Sequence, residues 1–251
     1  MRKIITVLIG CAFLCDIVHA QQAGDTLITF GGAWMDFANS SASELQSSSL
    51  AGTFSSPGTT AEVHNAFTAQ LLLSHFITDH IALDATFGVP PELTLAAQGN
   101  AMPLGAGGPQ WFLAQYQPLL CVRAWPLTAS IKYYLGSAMS RLRPFVGVGA
   151  NYTWYSHVQL NEGLSQALQG VAGANNLIKT SLSPSWNPVF MIGASYRLGQ
   201  RWYAITSISY VPLKTNATVE VQSSDGVAVL SNRVRVTANP IVVSLGIGYR
   251  F

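Results

Sequence analysis

From residue 25 to its end, the chain keeps returning to one pattern, in which apolar residues alternate singly with small or polar ones. The clearest case is the last stretch. There Ile241, Val243, Leu245, Ile247, Tyr249 and Phe251 interleave with Val242, Ser244, Gly246, Gly248 and Arg250. A period of two sends successive side chains to opposite faces, so each such stretch predicts a β-strand with one apolar face. Eight stretches qualify: 25–37, 65–76, 80–89, 127–135, 145–156, 187–198, 201–221 and 239–251. In the second, Phe67, Ala69, Leu71 and Leu73 share a face. In the third, Ile81, Leu83, Ala85, Phe87 and Val89 do.

A water-soluble sandwich would also alternate, but it would carry more charge. Charged residues are 10% of this chain and hydrophobic ones 49%, against about 25% charged in ordinary soluble proteins. Beyond the leader no run of about 18 apolar residues exists, so no helix is predicted to span a bilayer. Two classes remain, a secreted glycine-rich β protein and a β-barrel whose apolar surface is spread over alternate residues of many strands. The balance of 13 Lys and Arg against 11 Asp and Glu, with no basic cluster, argues against a nucleic-acid partner.

The first twenty residues read as a signal peptide. Arg2 and Lys3 precede an apolar stretch from Ile4 to about Cys15, and Val18-His19-Ala20 suits cleavage after Ala20. "LIGC" (Leu8 to Cys11) resembles a lipoprotein cleavage box, although it would leave a very short apolar stretch ahead of the cut. Residues 21–251 then form one domain. Cys11 and Cys15 leave with the leader, so Cys121 stays alone, without an internal disulfide or a multi-cysteine metal site.

The connections are unequal. "ITDH" (77–80), "GSAMSRLR" (136–143) and Gly199-Gln200 are short, whereas the links after the first, third and fifth strands are long. Short turns at one end and long loops at the other are the habit of bacterial outer-membrane barrels, with turns in the periplasm. Aromatics near strand ends, among them Tyr152, Trp154, Trp202, Tyr210, Tyr249 and Phe251, fit interfacial girdles. The predicted fold is therefore all-β: an eight-stranded antiparallel transmembrane barrel with short periplasmic turns and long extracellular loops, set in the outer membrane. Within the long insertions, the serine-rich segment 38–60 reads as a loop and 162–178 as holding a short helix. The segment 92–123 has no assigned role.

"FITDHIALDATFGVP" (76–90), "RLRPFVGVGANYTWYS" (141–156), "GASYRLGQRWYAITSISY" (193–210) and "SLGIGYRF" (244–251) together resemble the outer membrane protein W family of Gram-negative bacteria. The chain departs from that family in a longer, less charged 90–126 region, in "AWPLTA" (124–129) and in its serine-rich first extracellular loop. The resemblance implies a narrow, partly hydrophobic barrel through which small hydrophobic molecules enter from outside and leave sideways into the membrane. It also implies an assembly signal at Tyr249 and Phe251, read by the barrel assembly machinery. Outer-membrane lipids would be the surroundings, and a monomer is the default.

Eight strands leave room only for side chains inside. The alternation turns Thr29, Gly31, Ala33, Met35 and Phe37 inward on the first strand, although that strand also reads in the opposite register with Trp34 inward. Asp84, Lys132 and Arg250 are predicted as polar lumen groups, and Asp84 and Lys132 lie on neighbouring strands where they can pair. Such charges either line a path or only plug it. Met35 and Phe37, with Trp111 and Phe112, are the candidate apolar lining of an outer funnel; ordinary loop packing is the plainer reading. An enzyme is not expected: Ser74 and His75 are adjacent on a strand and face opposite ways. No cofactor or metal is implied. A structural or adhesive barrel and a lipid-modifying barrel are the competing functions.

Overall fold

The computed structural model describes residues 21–172, 177–223 and 225–251. The predicted leader, 1–20, lies outside them. Eight antiparallel strands close on themselves: β1 Thr26–Asp36, β2 Ala66–Phe76, β3 Ile81–Gly88, β4 Leu120–Tyr134, β5 Leu142–Leu160, β6 Ser185–Arg197, β7 Trp202–Tyr210 and β8 Ile241–Arg250. Each pairs with its neighbours in sequence, and β8 pairs with β1 from Leu27↔Arg250 to Asp36↔Ile241. Closure leaves no barrel edge without a partner, which hydrocarbon demands because it offers no hydrogen bonds.

The predicted alternation sets the faces. On β1, Phe30 and Trp34 are exposed on the outer wall while Leu27, Thr29 and Ala33 are buried inside. That settles the register: Trp34 faces out. On β8, Ile241, Val243, Leu245 and Ile247 face out and Ser244 is buried. Glycines let the inside close tightly. Gly193 on β6 lies so near Phe145 of β5 that a Cβ there would overlap the ring.

Above the barrel the inserted segments differ from the expected loops. The serine-rich segment is folded, not an open loop: strands at Leu45–Ser49 and Gly52–Ser56 make a hairpin, and Thr60–Val63 pairs with Glu92–Gln98. The unassigned segment 92–123 supplies that second strand, which in turn pairs with the start of β4. The predicted seventh strand, 201–221, is two. β7 stops at Tyr210, and beyond Val211-Pro212 a separate strand, Leu213–Gln222, pairs with Ala228–Ala238. Proline cannot donate to a ladder, so Pro212 is a natural break. These two strands, with Leu177–Leu182 and the 45–56 hairpin, form a second sheet that carries one wall of the barrel upward.

A short helix, α1 (Glu162–Ala172), was expected within 162–178, of which 173–176 lie outside the described residues. Asn161 caps it, its Oδ1 accepting from Gly163 N at 3.0 Å and Leu164 N at 3.3 Å. Leu164 and Leu168, four residues apart, share the face that packs inward against Val221 and Leu230. Among the described residues no helix is long and apolar enough to cross a membrane.

Candidate functional site

The inside of the barrel changes character with height. Its periplasmic third is solid. Leu27, Phe76, Ala82, Tyr134, Phe145, Tyr203 and Ile205 form one buried cluster. The rings of Phe76 and Phe145 sit 5.0 and 5.1 Å from that of Tyr134. The Arg143 guanidinium stacks 5.0 Å from the Tyr134 ring, donates to Gln21 O at 3.2 Å, and donates to Asp79 O. Gln21 in turn donates from Nε2 to Ser195 Oγ at 3.0 Å. Arg250 pairs with Asp25 at 3.4 Å on the periplasmic rim.

Above this packing sits the predicted pair. Lys132 and Asp84 form a buried ion pair, with the ammonium 4.5 Å from the Phe145 ring centre. A buried charge is tolerated only when paired, and each of these supplies the other's counter-charge.

Higher up the lumen opens into a cavity of about 130 Å³. Thr68, Thr86, Thr128, Asn151, Thr153 and Ser207 give it polar patches, while Met35, Phe37, Val189 and Met191 give it apolar ones. A small apolar gap of about 40 Å³ follows. Phe37, Leu93 and Leu213 border both spaces. The gap leads to an outer chamber of about 90 Å³, with Leu95, Leu120 and Ala217 bordering the two. That chamber is almost wholly apolar, walled by Trp111, Leu113, Leu164, Leu168 and Val234 among others. Two of its few polar groups are bonded elsewhere: Thr59 Oγ1 donates to Ser56 O at 2.9 Å, and Asn232 Oδ1 accepts from Ser47 Oγ at 2.6 Å. Three spaces thus stack from outside to mid-lumen and stop at the Lys132–Asp84 level.

Of the residues predicted to line a funnel, Met35 and Phe37 border the middle cavity and Trp111 the outer chamber. Phe112 is a correction. It is 58% exposed and lines none of the three spaces, because it follows Trp111 in a two-residue strand and so turns the other way. Leu93, Leu95, Leu120, Leu164 and Leu168 were missed. The spacing of Leu93 and Leu95 was the available signal, but their partner strand sits beside the serine-rich segment.

The barrel wall has a weak place beside the middle cavity. Pairing between β3 and β4 ends at Phe87↔Leu127, and β4 pairs next, shifted in register, with the strand Glu92–Gln98, beginning at Arg123↔Glu92. Pro90, Pro91 and Pro126 lie in the interruption, and none has an N–H to give. Val89 N–H turns to Ala69 O on β2 at 2.8 Å, and Ala124 N–H bridges to Pro91 O at 3.1 Å. Gly88, Pro91, Ala124 and Pro126 all line the middle cavity, so the interrupted ladder is part of its side wall.

On the outer wall, Tyr249 meets Trp202 and Phe251 edge-on at 5.1 and 5.0 Å, and Phe251 is exposed. Ser74 is buried in the lumen, whereas His75 is exposed on the wall and bonded to Thr26 at 3.0 Å. Among the described residues no group of three His, Cys, Asp or Glu is placed to hold a metal.

Comparison with known proteins agrees with this architecture. The sequence profile of the OmpW family matches residues 22–251. The outer membrane protein W of Vibrio cholerae is 26% identical over 93% of this chain and 92% of its own. The outer membrane protein AlkL of Ectopseudomonas oleovorans is 25% identical over 78% of this chain and 70% of its own. A Pseudomonas aeruginosa protein named for a dibenzothiophene metabolism operon, PahQ, is 23% identical over 78% of this chain and 76% of its own. Among solved structures, OprG of Pseudomonas aeruginosa superposes with a TM-score of 0.72 at 22% identity, covering 92% of this chain and 98% of that one. With a profile match across nearly its whole length and the same closed barrel, this chain belongs to the OmpW family of outer-membrane proteins.

Proposed function

We propose that the protein passes small apolar molecules from the cell exterior into the outer membrane, by way of the outer chamber and out through the side wall. The observation that carries this reading is the run of three adjoining spaces, apolar at the top, that ends against the interrupted β3–β4 ladder. A path straight down is filled by the Tyr134 cluster, so the side is the open direction. A chamber so nearly apolar favours ligands that need no hydrogen bond, since a polar ligand would lose its water there with little compensation. The relative named for dibenzothiophene metabolism fits, because that compound is an apolar aromatic. On this reading no covalent step takes place, in keeping with Ser74 and His75 on opposite faces of the wall.

The test is uptake of an apolar tracer, such as a radiolabelled hydrocarbon, by liposomes holding the purified barrel. Uptake well above that of protein-free liposomes is expected. Equal uptake would remove the transport reading and leave a structural barrel.

A further inference from the structure

The second sheet has two unlike faces. Thr215, Ala217, Val219 and Val221 turn toward the chamber with Leu230, Val234 and Val236. The opposite face carries Lys214, Asn216, Arg233 and Arg235, all exposed. In the ladder Asn216 pairs with Arg235 and Thr218 with Arg233, while Lys214 lies one same-face step from Asn216. The three cations thus form a short column, with same-face neighbours spaced about 7 Å apart. Arg235 Nε donates to Asn216 Oδ1 at 3.4 Å, and among the described residues none of the three makes an ion pair. The acids nearby are otherwise placed: Glu44 accepts from Ser55 Oγ at 2.8 Å, and Glu220 lies opposite Lys179.

The column stands directly over the lipid-facing wall. Lys214 follows Tyr210 by four residues, and Ser183 N–H bonds Asn216 O just above Trp186, the outermost ring on β6. Trp186 is 74% exposed and packs 4.7 Å from Tyr152. Rings of this kind mark the boundary between hydrocarbon and headgroup, so the cations sit at headgroup height on the outer side.

We propose that Lys214, Arg233 and Arg235 bind the phosphate groups of an outer-leaflet glycolipid whose acyl chains lie against Tyr210 and Trp186. Both halves of such a lipid meet matching chemistry: aliphatic chains on a ring-studded wall, and anionic headgroups on unpaired guanidinium and ammonium groups. The site is separate from the chamber, because the same strands turn their other face to it.

The full barrel, purified in mild detergent, is incubated with bisphosphorylated lipid A or with its dephosphorylated form. Lipid retained through size exclusion is then measured by mass spectrometry. The phosphorylated form is expected to be held on the order of a hundredfold more tightly, each cation contributing roughly fivefold, and less so as salt rises. K214S/R233S/R235S is expected to lose that preference while keeping the heat-resistant gel mobility of a folded barrel, and R233K/R235K to keep most of it. Equal retention of the two lipids, an undiminished preference in the folded triple variant, or preferential binding of a soluble sulfated polysaccharide over the lipid would each overturn the proposal.

Discussion

Phe37 meets two demands at once. Its backbone N–H is tied to Asn65 Oδ1 at 2.8 Å, and its ring, 3% exposed, separates the middle cavity from the space above. Phe37→Ala is expected to join the two and raise tracer uptake severalfold, at a stability cost of about 3 kcal/mol; Phe37→Trp should lower uptake. Liposome uptake together with denaturant unfolding in micelles checks both. Lys132 makes a different case. Lys132→Met strands the Asp84 carboxylate in the lumen and is expected to cost about 3–5 kcal/mol, whereas Asp84→Leu combined with Lys132→Met should recover most of that loss. Equilibrium unfolding of the two single variants and the double variant reads the coupling directly. This pair was legible in the sequence because two inward positions of opposite charge fell on adjacent strands. Phe112 was misassigned because a two-residue strand is too short for its facing to show in a pattern.

Among the elements, the barrel strands could be read one residue at a time because lipid on one side and packing on the other impose a strict period of two. The elements above the membrane escaped for the same reason in reverse. The 45–56 hairpin has polar residues on both faces, so Leu45–Ser49 carries almost no alternation to detect. The interruption between β3 and β4 was only half visible: Pro90-Pro91 marked the end of a strand, but their apposition to Pro126 depends on pairing. Restoring donors there tests its role. Pro91→Val with Pro126→Val is expected to lower tracer uptake severalfold, while stability stays level or rises by about 1 kcal/mol for each hydrogen bond gained. Uptake and unfolding midpoint, measured on the same preparation, separate a mended wall from a misfolded one.

Taken whole, the molecule is a cup, not a tube. Its mouth is built by inserted segments, its middle is hollow and its base is filled with rings and paired charge. In planar bilayers it is expected to carry no steady ionic current. Tyr134→Ala with Phe145→Ala, which hollows out the base, should produce one. The cup's outline followed from strand count and connection lengths. The contents of its mouth did not, since insertions answer to each other and not to the bilayer.

Where the Phe145 ring lies against β6, that strand has given up its side chain altogether at Gly193. In a library of single replacements, the usual ranking by bulk should therefore run backwards in the lower barrel. Gly193→Ala, the addition of one methyl, is expected to be selected out of the surface-displayed pool more strongly than Leu245→Val or Ile247→Val on the oily exterior.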